Sequence, residues 1–389
     1  MEQLVTSEFK LGIVAGGQLG KLLVLAASNW DVKTYVLDED DHCPASTCCT
    51  HFVKGSQSSY DDLMRFGKKV DMITFEIENV NIQALKELKA SGKRIVPDPD
   101  TLEIIQDKGL QKQFYQENKI PSPGFRLFDN RDQILRALET GTISFPFVQK
   151  LRKGGYDGKG VAVIRSQNDL QHLLEGDSLV ERMVDIQKEI SVLAARNSKG
   201  EVRCFPVVDM EFNEAANLVE TLVCPSSMNK KIQEMAVDIA TQLISSFNMC
   251  GLLAVEMFVD TNDLVWVNEV APRPHNSGHH TIESIITSQY EQLLRAIFNF
   301  PLGSTQIKTP SVMINLLGEP GFEGSVKYEG LTESMGIEGV KIHLYGKKIT
   351  KPFRKMGHVT ILSSSVEDAK KKAELVKQKL KVKSWQNQS

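Results

Sequence analysis

One stretch in the second half of the chain, residues 252–280 (LLAVEMFVDTNDLVWVNEVAPRPHNSGHH), most strongly constrains how this sequence can fold. It contains two runs of β-forming residues, Leu253–Asp260 and Leu264–Glu269, with the turn-like pair Thr261-Asn262 between them. Short apolar runs separated by a turn dipeptide are typical of two antiparallel strands. The stretch therefore predicts a β-hairpin, and each of its strands carries one carboxylate among apolar neighbours.

The two carboxylates, Glu256 and Glu269, are predicted to lie on one face of this hairpin. The turn favours pairing of Asp260 with Asp263. In that register Glu256 faces Val267, and Glu269 becomes the diagonal neighbour of Glu256, roughly 7–8 Å away at Cα. Two acids on one apolar wall repel each other unless a cation lies between them. Mg²⁺, which takes oxygen ligands from one or two carboxylates and from nucleotide phosphates, fits this pair best.

Composition and charge exclude several classes of protein. With 389 residues, 41% hydrophobic and 24% charged, the chain is expected to form two or three globular domains. A formal net charge of -3 gives no electrostatic footprint for nucleic acid. No apolar run approaches membrane-spanning length, and the first residues, MEQLVTSEFK, do not resemble a signal peptide. We therefore expect a cytoplasmic protein that binds neither nucleic acid nor membranes.

The N-terminal segment predicts the start of a doubly wound α/β domain. A strand at Lys10–Ala15 is followed by a glycine turn at residues 16–20 (GGQLG), a helix at Lys21–Ser28 and a second strand at Val32–Leu37. Backbone amides at such a turn can bind phosphate. A dinucleotide fingerprint would need glycine at Ala15, and a turn that only lets the helix pack on the strand is the alternative.

Polar residues directly follow the next apolar strand, Val70–Phe75. Ligands of doubly wound sheets bind at the carboxyl ends of the strands, which makes Glu76 a candidate substrate contact. An acidic helix start at Glu78-Asn79 explains the same residues equally well. A helix at Ile82–Ser91 and a strand at Arg94–Pro97 complete the predicted domain.

A glycine-rich loop at residues 153–160 (KGGYDGKG) separates two predicted strands of a smaller unit. A helix at Thr101–Asn118, which carries Lys108 and Lys112, precedes this unit. Backbone amides of a glycine loop can cover phosphates, whereas a long hairpin turn is the simpler interpretation. Lys150, which points from a strand into the loop, favours nucleotide phosphates.

The elements around the central hairpin are predicted from apolar periodicity. Strands at Glu189–Ala195 and Val202–Val208 lead to a polar crossover and a helix at Lys230–Phe247. A helix at Ile282–Asn299 follows the hairpin, and the C-terminal portion contains strands and a lysine-rich helix at Val366–Leu380.

A stiff polar segment follows the hairpin directly. Its two prolines hold Arg273, His275 and Asn276 in fixed positions. An arginine fork suits a carboxylate, a carbonate or a phosphate, and a histidine can exchange a proton near neutral pH. A zinc site at His275, His279 and His280 is the alternative, but the adjacent carboxylates and the glycine loop favour phosphoryl transfer.

Two further clusters allow more than one interpretation. Arg354 and Lys355 precede an apolar strand, where they would neutralise a substrate phosphate or form an ordinary basic loop. Three of the six cysteines, Cys43, Cys48 and Cys49, lie close together. A zinc site is one interpretation, but the spacing matches no zinc ribbon or finger, and reduced cysteines in a loop fit better.

Eight segments, spread over nearly the whole chain, carry a resemblance to a known family. They are GGQLGKL at 16–22, CPA at 43–45, TFEIENV at 74–80, QKQF at 111–114, GGYDGKG at 154–160, VNEVAPRPHNSGHHT at 267–281, PSVMINLLG at 310–318 and RKMGHV at 354–359. The chain resembles the ATP-grasp ligases and, among them, the 5-(carboxyamino)imidazole ribonucleotide synthases of purine biosynthesis. The resemblance implies an N-terminal doubly wound domain at 1–100, an ATP-grasp domain at 101–309 with a lid at about 124–182, and a small β-rich C-terminal domain at 310–389.

The resemblance also implies a reaction. Members of the family use ATP and bicarbonate to make carboxyphosphate, and then carboxylate the exocyclic amine of 5-aminoimidazole ribonucleotide, with release of ADP and phosphate. ATP and Mg²⁺ are the implied cofactors, and a homodimer is the implied assembly. Asp157, on the glycine loop, would orient or deprotonate the attacking amine.

Site residues follow from the same resemblance, by position in the matching segments. Nucleotide contacts are implied for Lys108, Lys150, Gly155, Tyr156, Asp157, Gly158, Lys159, Gly160, Glu181, Arg182, Met183, Val184, Glu189, Asn268 and Glu269. Magnesium ligands are Glu256 and Glu269, and bicarbonate contacts are Arg273, His275 and Lys355. Contacts to the aminoimidazole ribonucleotide are implied for Gln18, Leu19, Glu76, Tyr156, Asp157, Asn276, Arg354 and Lys355.

Departures from the family pattern are mild, and three alternatives are weighed against it. Ala15, Lys21 and Leu22 replace the commoner glycine, arginine and methionine, and Lys108 stands where arginine is frequent. A formate-dependent glycinamide ribonucleotide transformylase is the alternative among ATP-grasp ligases, but HNSGH at 275–279 and RKMGHV at 354–359 suit the imidazole enzyme. A dinucleotide-dependent oxidoreductase, suggested by the glycine turn and Asp38, is disfavoured by Ala15 and the second glycine loop. The intact set of acidic and basic site residues disfavours a catalytically silent nucleotide-binding protein.

Overall fold

A parallel sheet organises the N-terminal region of the computed structural model, which describes residues 7–155, 160–213 and 218–385. Its elements are β1 (Lys10–Val14), α1 (Gln18–Ser28), β2 (Lys33–Asp38), β3 (His51–Lys54), α2 (Tyr60–Gly67), β4 (Met72–Phe75), α3 (Ile82–Ala90) and β5 (Arg94–Ile95). The strand order β3-β2-β1-β4-β5 confirms the predicted doubly wound topology. Sequence periodicity missed β3, because this edge strand is only partly buried and lacks an apolar run.

Asp107 interrupts the helix that the sequence predicts at Thr101–Asn118. The segment forms two helices, α4 (Pro99–Gln106) and α5 (Lys108–Glu117), and Asp107 between them has extended backbone angles. Its carboxylate accepts hydrogen bonds from the amides of Gly109 and Leu110, so it caps the N-terminus of α5. The single-helix prediction is therefore wrong, and the cap places Lys108 at the first position of a new helix.

The predicted lid forms a separate antiparallel sheet. It contains β6 (Phe125–Phe128), α6 (Arg131–Glu139), β7 (Phe147–Leu151), β8 (Val161–Ile164) and β9 (Ser178–Arg182). The strand order is β6-β9-β7-β8. Lys150 on β7 and Glu181 on β9 therefore lie on neighbouring strands.

The central region supplies most of a larger sheet. Its elements are β10 (Ile186–Arg196), β11 (Val202–Cys204), β12 (Val208–Asn213), β13 (Leu218–Cys224), α7 (Lys230–Ser246), β14 (Gly251–Asp260), β15 (Val265–Ala271), α8 (Thr281–Ser284) and α9 (Gln289–Ile297). The predicted polar crossover before α7 is wrong, because it contains β12 and β13. Apolar residues of both strands are buried, among them Val208 and Met210 of β12 and Leu222 and Val223 of β13.

The C-terminal region completes that sheet and adds a small one of its own. Its elements are β16 (Ser311–Leu317), β17 (Gly324–Glu329), α10 (Leu331–Met335), β18 (Val340–Leu344), β19 (Ile349–Thr350), β20 (Lys355–Leu362), α11 (Val366–Lys379) and β21 (Lys381–Ser384). The large sheet runs β15-β14-β10-β12-β13-β16-β20-β18, with β11 on β10, and the small one runs β19-β17-β21. Because β13 pairs with β16, one sheet crosses the predicted boundary between residues 309 and 310.

One apolar core joins the N-terminal sheet to the large sheet. Leu23 of α1 and Leu11 of β1 belong to the same buried cluster as Leu252 of β14 and Leu293 of α9. Helices α1 and α9 are in contact, so the glycine turn before α1 is fixed relative to the hairpin of β14 and β15. No helix among the described residues is both long enough and apolar enough to cross a membrane.

Candidate active site

The hairpin of β14 and β15 brings Glu256 and Glu269 directly opposite each other. The predicted register is wrong: Asp260 pairs with Leu264, and a β-bulge at Asn268 then shifts the register by one further residue. The loop holds three residues rather than two because Asp263 adopts a left-handed conformation, with φ of 62°. The prediction that both carboxylates share one face is confirmed, and the bulge brings them closer than the diagonal arrangement would.

Basic side chains from three separate segments lie around this carboxylate pair. Lys108 Nζ on α5 lies 2.7 Å from Glu269 Oε2, and His275 Nε2 lies 3.4 Å from Glu256 Oε1. Lys355 at the start of β20 is near enough to lower the pKa of Glu256 and that of His275. The hairpin, the helix start and the C-terminal strand therefore meet at one point.

The two carboxylates of the pair differ in their affinity for protons. Burial, followed by the charges of Glu269 and Glu189, raises the pKa of Glu256 to about 8. Burial also acts to raise the pKa of Glu269, but the ion pair with Lys108 outweighs it and lowers that pKa to about 2. Glu256 thus lacks the positive charge that would keep it ionised at neutral pH.

This imbalance fits a divalent cation held together with a nucleotide. Glu256, Glu269 and the amide of Asn268 offer oxygen ligands on adjacent positions. Among the described residues, no group of three or more His, Cys, Asp or Glu is arranged to hold a metal ion. Phosphate oxygens and water would therefore have to complete the coordination, which is the usual situation of Mg²⁺ in nucleotide sites.

A buried ion network lies beside the pair and links α5 to the lid. Glu181 forms ion pairs with Lys112 Nζ at 2.5 Å and with Lys150 Nζ at 2.7 Å, and Lys150 also donates a hydrogen bond to Asn268 Oδ1 at 2.8 Å. The side chain of Glu181 is only 4% exposed. Its carboxylate is therefore shared by two lysines, which the sequence does not predict, and its contact with the nucleotide stays a prediction.

The other residues expected around the nucleotide lie along the strands that follow. Arg182 stacks over the ring of Trp266 at 5.5 Å, and the sulfur of Met183 accepts a hydrogen bond from Arg165. Val184 is buried. Burial raises the pKa of Glu189, on β10, to about 7.

Arg273 lies close to the two acids that follow β4. Arg273 Nη2 lies 2.9 Å from Glu78 Oε1. Glu76 accepts hydrogen bonds from the amides of Gly17 and Gly20, and its burial raises its pKa although these bonds oppose the shift. From the sequence alone, Glu78 is interpreted only as part of an acidic helix start. Its position two residues after Glu76, past the same strand end, was the signal for a place in the site.

The stiff segment after the hairpin is partly buried and carries hydrogen bonds between its own side chains. His275 Nδ1 lies 2.9 Å from Ser277 Oγ, which in turn lies 2.9 Å from Ser191 Oγ. Burial, followed by the charges of Arg273 and Lys355, lowers the pKa of His275 to about 3, so the imidazole is neutral at pH 7. The amide nitrogen of Asn276 is buried and has no hydrogen-bond partner among the described residues.

The alternative zinc site does not assemble. His279 stacks on His358 at 4.4 Å and its Nδ1 lies 3.0 Å from the hydroxyl of Tyr290, whereas both ring nitrogens of His280 are buried without a hydrogen-bond partner among the described residues. His358 also stacks on His343 at 4.4 Å. These histidines form a packed column between the central and C-terminal regions.

Several predicted site residues lie away from the Glu256–Glu269 pair or outside the described part of the chain. Arg354 donates to the carbonyl of Ile349 at 2.7 Å. Gly155 and Gly160 flank the glycine loop, and Gly160 accepts a hydrogen bond from the amide of Leu151. Four residues of the loop lie outside the described residues: Tyr156, Asp157, Gly158 and Lys159.

The site combines a lid sheet, one lysine at a helix start, one lysine on a lid strand, and a hairpin with one site carboxylate on each strand. This combination is typical of an ATP-grasp enzyme. Models of three families match the chain: the ATP-grasp domain over residues 113–290, the ribonucleotide synthetase preATP-grasp domain over 9–106, and the phosphoribosylaminoimidazole carboxylase C-terminal domain over 311–372.

Similar proteins and solved structures identify the family within the ATP-grasp enzymes to which the chain belongs. An N5-carboxyaminoimidazole ribonucleotide synthase of Synechococcus elongatus is 34% identical over 357 residues, which are 90% of this chain and 89% of that protein. The crystal structure of an N5-carboxyaminoimidazole ribonucleotide synthetase from Thermotoga maritima is 41% identical, with a TM-score of 0.89 over 97% of this chain and 99% of that one. The chain belongs to the N5-carboxyaminoimidazole ribonucleotide synthase family, as its motifs predict.

Two further matches bear on substrates and on length. An Aspergillus clavatus synthase in complex with ADP and 5-aminoimidazole ribonucleotide is 28% identical, with a TM-score of 0.87 over 96% of this chain and 98% of that one. A chloroplastic phosphoribosylaminoimidazole carboxylase of Vigna aconitifolia is 35% identical over 370 residues, which are 92% of this chain but 65% of that protein. The chain thus spans about two thirds of the length of this relative.

Proposed function

We propose that this protein uses ATP and bicarbonate to carboxylate the exocyclic amine of 5-aminoimidazole ribonucleotide. In the first step a bicarbonate oxygen bonds to the γ-phosphorus of ATP, and the bond to ADP breaks. In the second step the amine nitrogen bonds to the carbon of carboxyphosphate, phosphate leaves with the electron pair, and the amine loses a proton. The observation that carries the proposal is the convergence of Lys108, the Glu256–Glu269 pair, His275 and Lys355 at one hairpin.

The nucleotide end of the site comprises the hairpin acids and two lysines. Lys108 and Lys150 would hold the phosphates, since both ammonium groups lie beside hairpin residues. Glu256, Glu269 and Asn268 would hold Mg²⁺, which when bound neutralises charge on the transferring phosphoryl group. Entry of a cation would also ionise Glu256, because the cation supplies the charge that this buried carboxylate lacks.

The bicarbonate end comprises Arg273, His275 and Lys355. Arg273 and Lys355 would bring a small anion next to the anionic nucleotide. His275 is neutral at pH 7 and fixed by Ser277, so it would bind through a hydrogen bond at Nε2 rather than through charge. Its position 3.4 Å from Glu256 would let the imidazole and that carboxylate share a proton.

The aminoimidazole ribonucleotide would lie between this end and the glycine turn. Glu76 is the described residue best placed to receive it, because it already joins the turn amides to the end of β4. Gln18, Leu19, Asn276 and Arg354 would contribute the remaining contacts, with Tyr156 and Asp157 from the glycine loop. Asp157 would orient or deprotonate the amine. The neutral amide of Asn276, buried without a partner among the described residues, is available for a substrate oxygen.

Assembly, location and domain limits are part of the same proposal. We expect a cytoplasmic homodimer with domain limits near residues 100 and 309, although the shared large sheet joins the last two domains rigidly. Light scattering on a size-exclusion column tests the dimer: a mass near twice 43.4 kDa supports it, and a mass near 43.4 kDa contradicts it.

The decisive experiment measures ADP release from Mg-ATP. Release should require bicarbonate and yield carboxylated product when 5-aminoimidazole ribonucleotide is present. Stimulation only by glycinamide ribonucleotide plus formate would instead indicate the transformylase. Reduced nicotinamide should give no protection against thermal unfolding, and protection by it would favour the oxidoreductase alternative.

A further inference from the structure

The pairing of Arg273 with Glu78 poses a chemical problem for an anion site. Both side chains are partly buried: that of Arg273 is 18% exposed and that of Glu78 is 24% exposed. Nη1 of Arg273 donates to the carbonyl of Pro274 at 3.0 Å, and Nη2 contacts Glu78. The remaining nitrogen, Nε, is buried without a hydrogen-bond partner among the described residues.

Glu78 is held in place and is not a mobile surface acid. The side-chain amide of Gln106 donates to the backbone carbonyls of Glu78 and Val80, at 2.7 and 2.9 Å. The amide of Val80 also donates to the carbonyl of Glu78. The loop after β4 is thereby fixed to the end of α4, with the Glu78 carboxylate directed at Arg273.

One of the two guanidinium nitrogens that an anion would bind, Nη2 of Arg273, therefore already has a partner. An oxyanion that binds a guanidinium side-on uses Nε and the neighbouring Nη2 together. Nε of Arg273 is free to donate among the described residues, but Nη2 already has a carboxylate partner. An incoming anion has to displace Glu78 or share Nη2 with it, against repulsion from that carboxylate and from Glu76 and Glu269 nearby.

We propose that Glu78 is a specificity residue of the bicarbonate site, which lies beside Arg273 and thereby disfavours anions that cannot donate a hydrogen bond to it. This inference rests on the proposed function. Bicarbonate carries an O–H group that can donate to the Glu78 carboxylate while its other oxygens approach Arg273. Nitrate and formate are planar monoanions without an O–H donor, so they meet the repulsion of Glu78 without this hydrogen bond and are rejected.

The test compares Glu78→Gln with Glu78→Asp in the full-length protein. Glutamine keeps a hydrogen-bond acceptor and loses the charge, so the KM for bicarbonate should fall by about 3- to 10-fold. Nitrate and formate should become competitive inhibitors against bicarbonate. Aspartate keeps the charge, and its KM should stay closer to that of the wild type. Glu291→Gln, which breaks the Arg295 pair on α9, serves as the matched control and should change none of these values.

Three results would overturn the inference. They are a raised KM for bicarbonate in Glu78→Gln, a change confined to the KM for 5-aminoimidazole ribonucleotide, and unaltered sensitivity to nitrate and formate. Thermal unfolding of both variants establishes that each is folded. If the wild type releases no bicarbonate-dependent ADP, the proposed function fails; if it does and Glu78→Gln behaves like wild type, only the role of Glu78 fails.

Discussion

The site depends on two carboxylates of one hairpin that have opposite proton affinities. Glu269 is ionised by its contact with Lys108, whereas Glu256 is close to further negative charge and lies 3.4 Å from the neutral imidazole of His275. The sequence indicates that both acids share one face, because alternation along a strand is a local property; it also predicts that both are buried, whereas the side chain of Glu269 is 47% exposed. The sequence does not indicate which acid is ionised, because that depends on a lysine 161 residues away.

A pH dependence of stability follows from the raised pKa of Glu256. Its folded-state pKa of about 8 exceeds the ordinary value of 4.5, so the folded protein binds more protons than the unfolded chain between these limits. The contribution of Glu256 to stability is complete below about pH 4.5 and is lost as the pH rises through about 8. Without Mg²⁺, the melting temperature of the wild type should fall relative to that of Glu256→Gln between pH 5 and 9.

Thermal melts of both proteins at matched pH values measure this difference. Titrating groups that do not interact with Glu256 cancel when the two curves are subtracted. Excess Mg²⁺ with ATP should shrink the difference, since a bound cation favours the ionised carboxylate. A difference that is constant across the pH range would show that Glu256 is ionised in the folded protein without metal.

At the level of secondary-structure elements, buried charge joins α5 to the lid. Glu181 on β9 lies between Lys112 of α5 and Lys150 of β7. Burial lowers the pKa of Lys112 to about 8 even though Glu181 opposes the shift. Without the Glu181 carboxylate, the buried ammonium groups of Lys112 and Lys150 lose the negative charge that they share. We expect Glu181→Gln to lower the free energy of unfolding by about 3–5 kcal/mol.

Urea unfolding measures the effect of Glu181→Gln. The matched control is Glu234→Gln, which breaks the exposed pair with Lys230 on α7 and should cost no more than about 0.5 kcal/mol. Equal effects of the two variants would contradict a structural role for the buried network. Because Lys150 also contacts Asn268, Glu181→Gln should in addition raise the KM for ATP.

The elements also show where local patterns are insufficient. Apolar alternation predicts β14 and β15 but not the bulge at Asn268, since the extra residue is held by Lys150 from another sheet. The predicted helix across Asp107 fails for a similar reason. Asp107 accepts hydrogen bonds from backbone amides of α5 and also forms an ion pair with Arg152 of the lid at 2.8 Å. Helical periodicity in the sequence cannot predict that ion pair.

At the scale of the whole molecule, Lys21 links the N-terminal domain to the C-terminal region by hydrogen bonds. Lys21 Nζ on α1 donates to the carbonyls of Leu344 and Tyr345, each at 3.1 Å. The hydroxyl of Tyr345 lies 3.0 Å from His358, inside the stacked histidine column. The contact thus connects the glycine turn to the strand that carries Lys355.

Lys21→Met should loosen this connection. Methionine preserves much of the side-chain volume but cannot donate, so two carbonyls lose their charged partner, at a cost of about 1.5–3 kcal/mol in unfolding free energy. Urea unfolding measures the loss, and limited proteolysis should cleave the region after residue 310 sooner. Lys230→Met, at a 90% exposed side chain, is the control. Unchanged stability and proteolysis in Lys21→Met would mean that the apolar core alone holds the domains together.

The sequence by itself determined the parts of this protein that depend on neighbours along the chain. Strand alternation placed Glu256 and Glu269 on one face, the glycine turn opened the N-terminal domain, and eight motifs in order indicated the family. Only the tertiary structure decided the direct pairing of the two acids, the ion network at Glu181 and the occupation of Arg273 by Glu78. These contacts join residues far apart in the chain, and their charges and pKa values arise from burial that exists only once the domains have packed.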